Sequence, residues 1–178
     1  TRTVQTGYDR HSGEAVYQAA RERMPGRRPR RRCAAAWAEV LARPRAEDDS
    51  RAGWVLSVTP TVLADLALGL RDIAWRDALI AWLAPGVLPV EDLDAAVVRA
   101  LESSLPTWGG TGFGSVDSTG RDEVLERLLL LCRCIPDQTP REAAAVCTVV
   151  AHVAWAGGDG TVARAAVERA VRLVPDYR

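Results

Sequence analysis

Five arginines near the start of the chain form the cluster best suited to binding a polyanion. Arg27, Arg28, Arg30, Arg31 and Arg32 fall within six consecutive positions. Guanidinium groups at this density can neutralise several phosphates and give salt-dependent attraction to nucleic acid that does not read its sequence. The alternative interpretation is a solvated loop whose charge is balanced by carboxylates of the same protein. No aromatic residue interrupts the cluster to stack on bases, which favours that alternative.

The charge of the chain is divided between its two parts. All 23 basic residues are arginine. Residues 1–45 hold eleven arginines and four acids, a net charge of +7, and the remainder holds twelve arginines and nineteen acids, a net charge of −7. This asymmetry indicates either a polyanion-binding end or a basic face that is neutralised by acidic groups of the same protein or of a partner.

Three cysteines and a histidine lie close enough in sequence to raise the question of a metal site. Cys132 and Cys134 are two positions apart, and Cys147 precedes His152 by five. On a helix, residues two apart point in nearly opposite directions, and residues five apart are also offset, so neither pair converges on one ion. The sequence therefore predicts buried structural thiols, no metal and no cofactor.

Five further residues are candidates for lining a groove or for a structural role. Thr148 and His152 are four apart on an apolar helix and share a face, either as a small polar groove or as a core histidine with a satisfied hydrogen bond. Trp75 has the spacing of a core aromatic. Arg76 and Asp77 gain weight as candidates if they are buried, because a buried arginine is costly to keep without a structural or ligand-binding role.

The elements that position these residues are predicted to be helices throughout. Apolar residues recur at intervals of three and four, and Thr59-Pro60 and Thr139-Pro140 each combine an N-cap with a proline in the first turn. Only residues 54–58 are strand-like. Residues 107–120 predict a glycine-rich loop in which Trp108 and Phe113 pack against the core. Helices are expected over 12–24, 33–43, from Thr59 through the low eighties with a possible break at Gly69, and over 91–105, 121–135, 141–156 and 161–174. The fold class is all-α, a helical bundle or an array of antiparallel helix hairpins.

The last hairpin has the spacing of half a tetratricopeptide repeat. Gly158, Ala163, Ala170 and Pro175 supply a glycine turn, two alanines for close helix contact and a proline stop. Residues 44–53 are polar and read as a linker. The predicted division is an N-terminal helical segment with an arginine-rich loop over 1–53 and a helical domain over 54–178.

Two stretches resemble a family of actinobacterial proteins known as domain of unknown function 4192. They are residues 68–82, which contain Arg76 and Asp77, and the closing segment from residue 154, which contains the Gly158-Asp159-Gly160 turn and ends in Pro175-Asp176-Tyr177. The resemblance covers roughly residues 54–178. It implies a helical fold and an actinobacterial source, and it supplies no catalytic residue.

Together these features predict a non-catalytic protein-interaction module with another protein as its partner. The alternative is polyanion or nucleic-acid association through residues 27–32. No constellation of catalytic residues is visible, so an enzyme is not expected. Four cysteines without a secretory segment indicate reduced thiols and a cytoplasmic location, and no run of residues is long enough to predict a membrane span.

Overall fold

The computed structural model describes residues 30–42, 58–105, 112–113 and 121–177, together with Ala15 and Gln18. Within this part of the chain every regular element is a helix and there is no strand, which confirms the all-α prediction. The helices are α1 Arg30–Ala42, α2 Pro60–Gly69, α3 Ile73–Leu83, a 3-10 turn Val90–Asp92, α4 Ala95–Ser104, α5 Arg121–Cys134, α6 Pro140–Ala156 and α7 Gly160–Leu173. None of these helices is long and apolar enough to cross a membrane.

Some predicted elements lie outside the described residues. These are the linker over 44–53, the strand-like residues 54–57, most of the loop over 107–120, and the first helix except for Ala15 and Gln18, which are both helical. From the loop, Phe113 packs edge-on against Trp82 with ring centroids 5.0 Å apart, and the Gly112 N–H donates to the Trp82 carbonyl at 2.8 Å. The predicted packing of Phe113 against the core is therefore confirmed.

Side-chain caps define where four of the helices begin. Thr59, Asp72, Asp94 and Asp159 each accept a hydrogen bond from an N–H in the first turn that follows. The N–H groups of Val97 and Ala96 lower the pKa of Asp94. Thr139 was expected to cap α6 in the same way, but its hydroxyl donates to the Pro136 carbonyl instead, so only Pro140 of that predicted pair acts at the helix start.

The long helix predicted from Thr59 is two helices. Helix α2 ends at Gly69, and α3 begins after a turn in which Asp72 becomes its N-cap. The cause is a close approach between helices, because a Cβ atom on Gly69 would lie 1.9 Å from the Cys33 sulfur and 2.8 Å from the Cys33 Cβ. Only a residue without a side chain lets α1 lie this close to the end of α2.

Helix α1 begins earlier than the sequence predicts. The arginine-rich loop was expected to extend through Arg32, with the helix starting at Cys33, but Arg30, Arg31 and Arg32 form the first turn of α1. Arginine is a good helix former, and the proline that precedes Arg30 in sequence is a residue typical of helix starts. The apolar stripe of α1 packs on α2 and α4 and belongs to the main core.

Helix α6 is the centre of the fold, as its uniformly apolar sequence predicts. Eleven of its 17 residues are buried. It packs against α2, α3, α5 and α7. Apart from Glu142, its buried side chains are alanine, valine and Cys147, which are small enough for four neighbours to approach its backbone.

Helices α6 and α7 form a tightly packed hairpin. Gly158 in the connecting turn has φ +81°, in the left-handed region that favours glycine after a helix C-terminus. Ala163, Ala166 and Ala170 are buried on the inner face of α7. Val167 on the same helix is 50% exposed, so the buried stripe of α7 consists of alanines.

The contact between Gly69 and Cys33 can be tested by adding and removing single atoms. Gly69→Ala should destabilise the protein by about 1–3 kcal/mol, because the new methyl group overlaps the Cys33 sulfur. Cys33→Ala removes that sulfur, so the double variant should recover much of the loss. Urea unfolding of the four proteins gives the coupling energy, and losses that simply add would contradict the close approach.

The alanine face of α7 gives a second stability test. Ala170→Leu should lower the free energy of unfolding by about 1–3 kcal/mol, because the larger side chain overpacks the contact with α6. Ala165→Leu on the same helix is exposed and serves as the matched control, with an expected change within about 0.5 kcal/mol. Equal effects of the two substitutions on thermal or urea unfolding would mean that the buried face is assigned incorrectly.

Candidate functional site

A cavity of about 350 Å³ lies where the N-terminal ends of α3 and α6 meet the C-terminal residues of the chain. We call it the arginine cavity. Its lining contains three guanidinium groups, one carboxylate, one phenol and three apolar side chains. The lining residues are Arg71, Ile73, Arg76, Arg141 and residues 174–177.

Arg76 is the buried cation of the arginine cavity. It lies in the first turn of α3, and only 8% of its surface is exposed. Its Nη1 donates to the Tyr177 hydroxyl at 3.0 Å, and its Cζ lies 5.5 Å from the centroid of the Tyr177 ring. Its Nε lies 3.4 Å from Asp77 Oδ1. These contacts hold the guanidinium in place and join α3 to the C-terminal residues.

Arg71 and Arg141 supply the exposed cations of the arginine cavity. Arg71 Nη1 lies 3.6 Å from Glu142 Oε1, which is a long ion pair, and Arg141 makes no ion pair within the described part of the chain. Arg141 and Glu142 are in the first turn of α6, which no side chain caps. The free N–H groups of a helix start carry partial positive charge, which adds to the charge of these arginines.

This arrangement can bind an anionic group beside an apolar one. Guanidinium groups donate paired hydrogen bonds to carboxylate or phosphate, and their geometry suits planar oxygen pairs. Ile73 is 55% exposed at the cavity, next to the cations. Within the described residues, no three histidine, cysteine or acidic side chains are grouped so that they could hold a metal ion.

The structure places the predicted groove residues at two separate locations. Arg76 lines the arginine cavity with Asp77 beside it, and Trp75 is buried in the core with no hydrogen-bond partner for its Nε1 among the described residues. The Thr148 hydroxyl donates to the Ala144 carbonyl at 3.0 Å, and His152 Nδ1 lies 2.8 Å from the Thr148 carbonyl. The polar groups of Thr148 and His152 therefore bond to the backbone of their own helix and do not belong to the arginine cavity.

The arginine-rich segment is described only from Arg30 onward, and Arg27 and Arg28 lie outside the described residues. Arg30 Nε lies 3.3 Å from Asp72 Oδ2, so this guanidinium joins the start of α1 to the start of α3. Arg31 and Arg32 are exposed and make no ion pair within the described residues. The expected balance by carboxylates of the same protein thus applies to Arg30.

Three other arginines act on the carbonyl ends of helices. Arg127 donates to the Val40 and Leu41 carbonyls in the last turns of α1, at 3.2 and 2.6 Å. Arg121 donates to the Ala156 carbonyl at the end of α6, at 2.6 Å. Arg169 donates to the Cys132 and Ile135 carbonyls at the end of α5. A planar fork of donors is suited to carbonyls that have no partner within their own helix, so these arginines have structural roles.

The buried thiols are also confirmed, and two of them are in contact. All four cysteines are buried, and none of them is part of a disulfide. The sulfur atoms of Cys132 on α5 and Cys147 on α6 are 3.3 Å apart. Spacing within single helices does not reveal this contact, which arises because α5 and α6 pack against each other.

Arg71, Arg141 and Tyr177, which line the cavity with Arg76, were not predicted from the sequence as site residues. Arg141 and Tyr177 are far from Arg76 in the chain, and Tyr177 is 101 residues away. One signal in the sequence points to Tyr177. Asp176 and Tyr177 belong to the closing segment that carries the family resemblance.

Comparison with known proteins identifies the family. No curated protein and no solved structure matches the chain. The family model described as "Domain of unknown function (DUF4192)" matches residues 3–178. The match reaches well before residue 54, where the resemblance was expected to begin, and it includes the arginine-rich segment. The chain therefore belongs to the DUF4192 family.

Proposed function

We propose that this domain is a non-catalytic protein-interaction module whose arginine cavity binds an acidic segment of a partner protein. The observation that supports the proposal most directly is the cluster of three guanidinium groups in the lining. Arg71 and Arg76 are paired with Glu142 and Asp77, and the Arg141 guanidinium is exposed beside them. Arg121 and Arg127, elsewhere in the fold, donate to helix carbonyls, whereas Arg141 has no ion-pair partner among the described residues.

The apolar part of the lining favours a peptide over a small inorganic anion. Ile73 and Val174 lie in the same cavity as the cations. In a peptide, an acidic side chain can pair with the arginines, and an apolar side chain next to it can pack on Ile73 and Val174. The peptide's backbone carbonyls can accept hydrogen bonds from guanidinium N–H groups that the acidic side chain leaves unused. A volume of about 350 Å³ is at the small end for ligand sites, which suits one or two side chains of a longer segment.

The chemistry of the lining favours binding over catalysis. Its described residues include no serine, cysteine or histidine, so it offers groups that orient an anion and not a nucleophile next to a base. The α6–α7 hairpin, with its tetratricopeptide-like spacing, is consistent with a module that presents a surface to partners. All of the basic residues are arginine, and the buried cysteines form no disulfide. Both features fit a cytoplasmic protein of an actinobacterium.

Substitution of Arg141 tests the binding proposal without disturbing the core. The probe is a fluorescent nine-residue peptide of aspartate, glutamate and leucine, measured by anisotropy at low salt. Arg141→Gln should weaken its binding about tenfold, because one charge-assisted hydrogen bond is lost. The same peptide with asparagine and glutamine in place of the acids should bind neither protein.

Arg99→Gln is the matched control, because Arg99 is an exposed arginine on α4 that does not line the cavity. It should leave the affinity unchanged. Equal affinities of the Arg141→Gln variant and the wild type, or equal binding of the acidic and amide peptides, would exclude the arginine cavity as the binding site.

Nucleic-acid association is a second candidate function. It is supported by Arg31 and Arg32, which stand next to each other on the first turn of α1, exposed and without an ion pair among the described residues. The N-terminus of a helix carries partial positive charge, so arginines there are repelled by it, and a bound phosphate offsets this repulsion. In this case Arg27 and Arg28 extend the same basic segment.

The salt dependence of binding to a single-stranded 20-nucleotide DNA tests this candidate. Replacement of both Arg31 and Arg32 by Gln should make the slope of log affinity against log salt shallower by roughly 0.7 for each lost phosphate contact. Arg141→Gln should leave the slope unchanged. If the wild type shows no affinity at low salt, or if the double variant has the wild-type slope, the segment does not bind nucleic acid.

A further inference from the structure

Cys132 and Cys147 form a pair of thiols that neither proposed function uses. The two sulfurs are 3.3 Å apart and belong to neighbouring helices, 15 positions apart in sequence. Cys147 is completely buried, and Cys132 is 8% exposed. The pair therefore lies just beneath the surface, where Cys132 is the sulfur nearer to solvent.

A fixed arginine lies beside the pair. Arg169 Nη1 is 2.9 Å from the Cys132 sulfur and 3.9 Å from the Cys147 sulfur. The same guanidinium donates to the Cys132 carbonyl at 2.7 Å and the Ile135 carbonyl at 3.1 Å, and it pairs with Asp137 at 2.7 Å. These contacts hold the positive charge closer to Cys132 than to Cys147.

The electrostatics separate the roles of the two sulfurs. The hydrogen bond with Cys147 lowers the pKa of Cys132 to about 7, and the Arg169 guanidinium lowers it as well, against the opposing effect of burial. The hydrogen bond with Cys132, burial and the negative charge of Cys132 raise the pKa of Cys147. Cys132 is thus the more acidic thiol of the pair, and Cys147 is the one that holds its proton more strongly.

We propose that Cys132 and Cys147 are a reversible redox site at which a hydroperoxide converts the two thiols into a disulfide between α5 and α6. The proposal rests on the sulfur–sulfur contact and on the fixed position of Arg169. Within the described residues, neither sulfur belongs to a group of three histidine, cysteine or acidic side chains that could hold a metal ion.

The reaction balances with hydrogen peroxide as the oxidant. Cys132 releases its proton to solvent, and its thiolate attacks one peroxide oxygen, so that the S–O bond forms, the O–O bond breaks and hydroxide leaves as water after taking up a proton. Cys147 then attacks the Cys132 sulfur. The S–S bond forms, the S–O bond breaks, and the departing hydroxide leaves as water with the proton of Cys147. Two thiols are oxidised to one disulfide, and one peroxide is reduced to two waters.

Peptide mapping after oxidation tests the proposal directly. Arg133 separates Cys132 from Cys134, so trypsin releases Cys132 in residues 128–133, Cys134 in residues 134–141 and Cys147 in residues 142–164. Treatment of the native protein with equimolar hydrogen peroxide should join the first and third peptides, with a mass loss of about 2 Da. Dithiothreitol should reverse the change.

Three variants distinguish this site from non-specific oxidation. Cys134→Ser should leave the cross-link intact, and Cys147→Ser should abolish it. If the serine variant does not fold, Cys147→Ala serves in its place because cysteine packs as a small apolar residue. A cross-link to Cys134, or sulfinic acid on Cys132 without a cross-link in the wild type, would overturn the proposal.

The pH dependence of the reaction separates the chemical role of Arg169 from a structural one. The fraction of Cys132 that is thiolate falls as the pH falls through the pKa of about 7, so the rate should be half-maximal near pH 7 and fall tenfold per pH unit well below it. Arg169→Gln should move that midpoint to higher pH, because the cation that favours the thiolate is removed. An unchanged pH profile in this variant, or a wild-type rate that does not depend on pH between 5 and 9, would contradict the assignment of Cys132 as the attacking sulfur.

Discussion

The burial of α6 on almost every side is the constraint on which the rest of the structure depends. The positions of α6 that face its four neighbours are alanine, valine and Cys147, with Glu142 at its start, because a larger side chain there would keep the neighbouring helices apart. The neighbours must approach over short side chains, and the alanines of α7 meet this requirement from the opposite side. The stability of the fold therefore comes from many close backbone contacts and depends on residue volume at each of them.

The same constraint determines where chemistry is possible. A helix that is buried along its length reaches solvent near its ends, and the arginine cavity lies at the N-terminal end of α6, where Arg141 is in the first turn. The buried middle of α6 has room only for small side chains, and few small side chains carry a reactive group. Cys147 is one that does, and its thiol contacts a second thiol on α5. The two sites are thus consequences of one buried helix, although they concern different chemistry.

Much of the fold could be predicted from the sequence, because the signals that define it are local. Cap residues such as Thr59 and the apolar character of α6 can be read directly, and each described part of a predicted helix is largely helical, although some boundaries differ. The close approach of α1 to the end of α2 at Gly69 depends on packing between the two helices, which no local pattern reveals. The candidate sites were even less accessible, since Arg76 meets Tyr177 across the length of the domain and the two thiols meet across a helix interface. Of the residues that were proposed from the sequence, Arg76 lines the cavity and is buried against the C-terminal residues. Burial was the condition under which Arg76 was expected to have a structural or ligand-binding role.

The meeting of Gly69 and Cys33 has a consequence for how this family can diverge. The space between the two positions is filled by the Cys33 sulfur, so there is no room in it for a methyl group on residue 69. Evolution can place a side chain at position 69 only if position 33 becomes smaller at the same time, so the two positions should change together among relatives. Since position 33 belongs to α1, such paired changes would trace the attachment of α1 to the core through the history of the family, independently of the arginines that precede it.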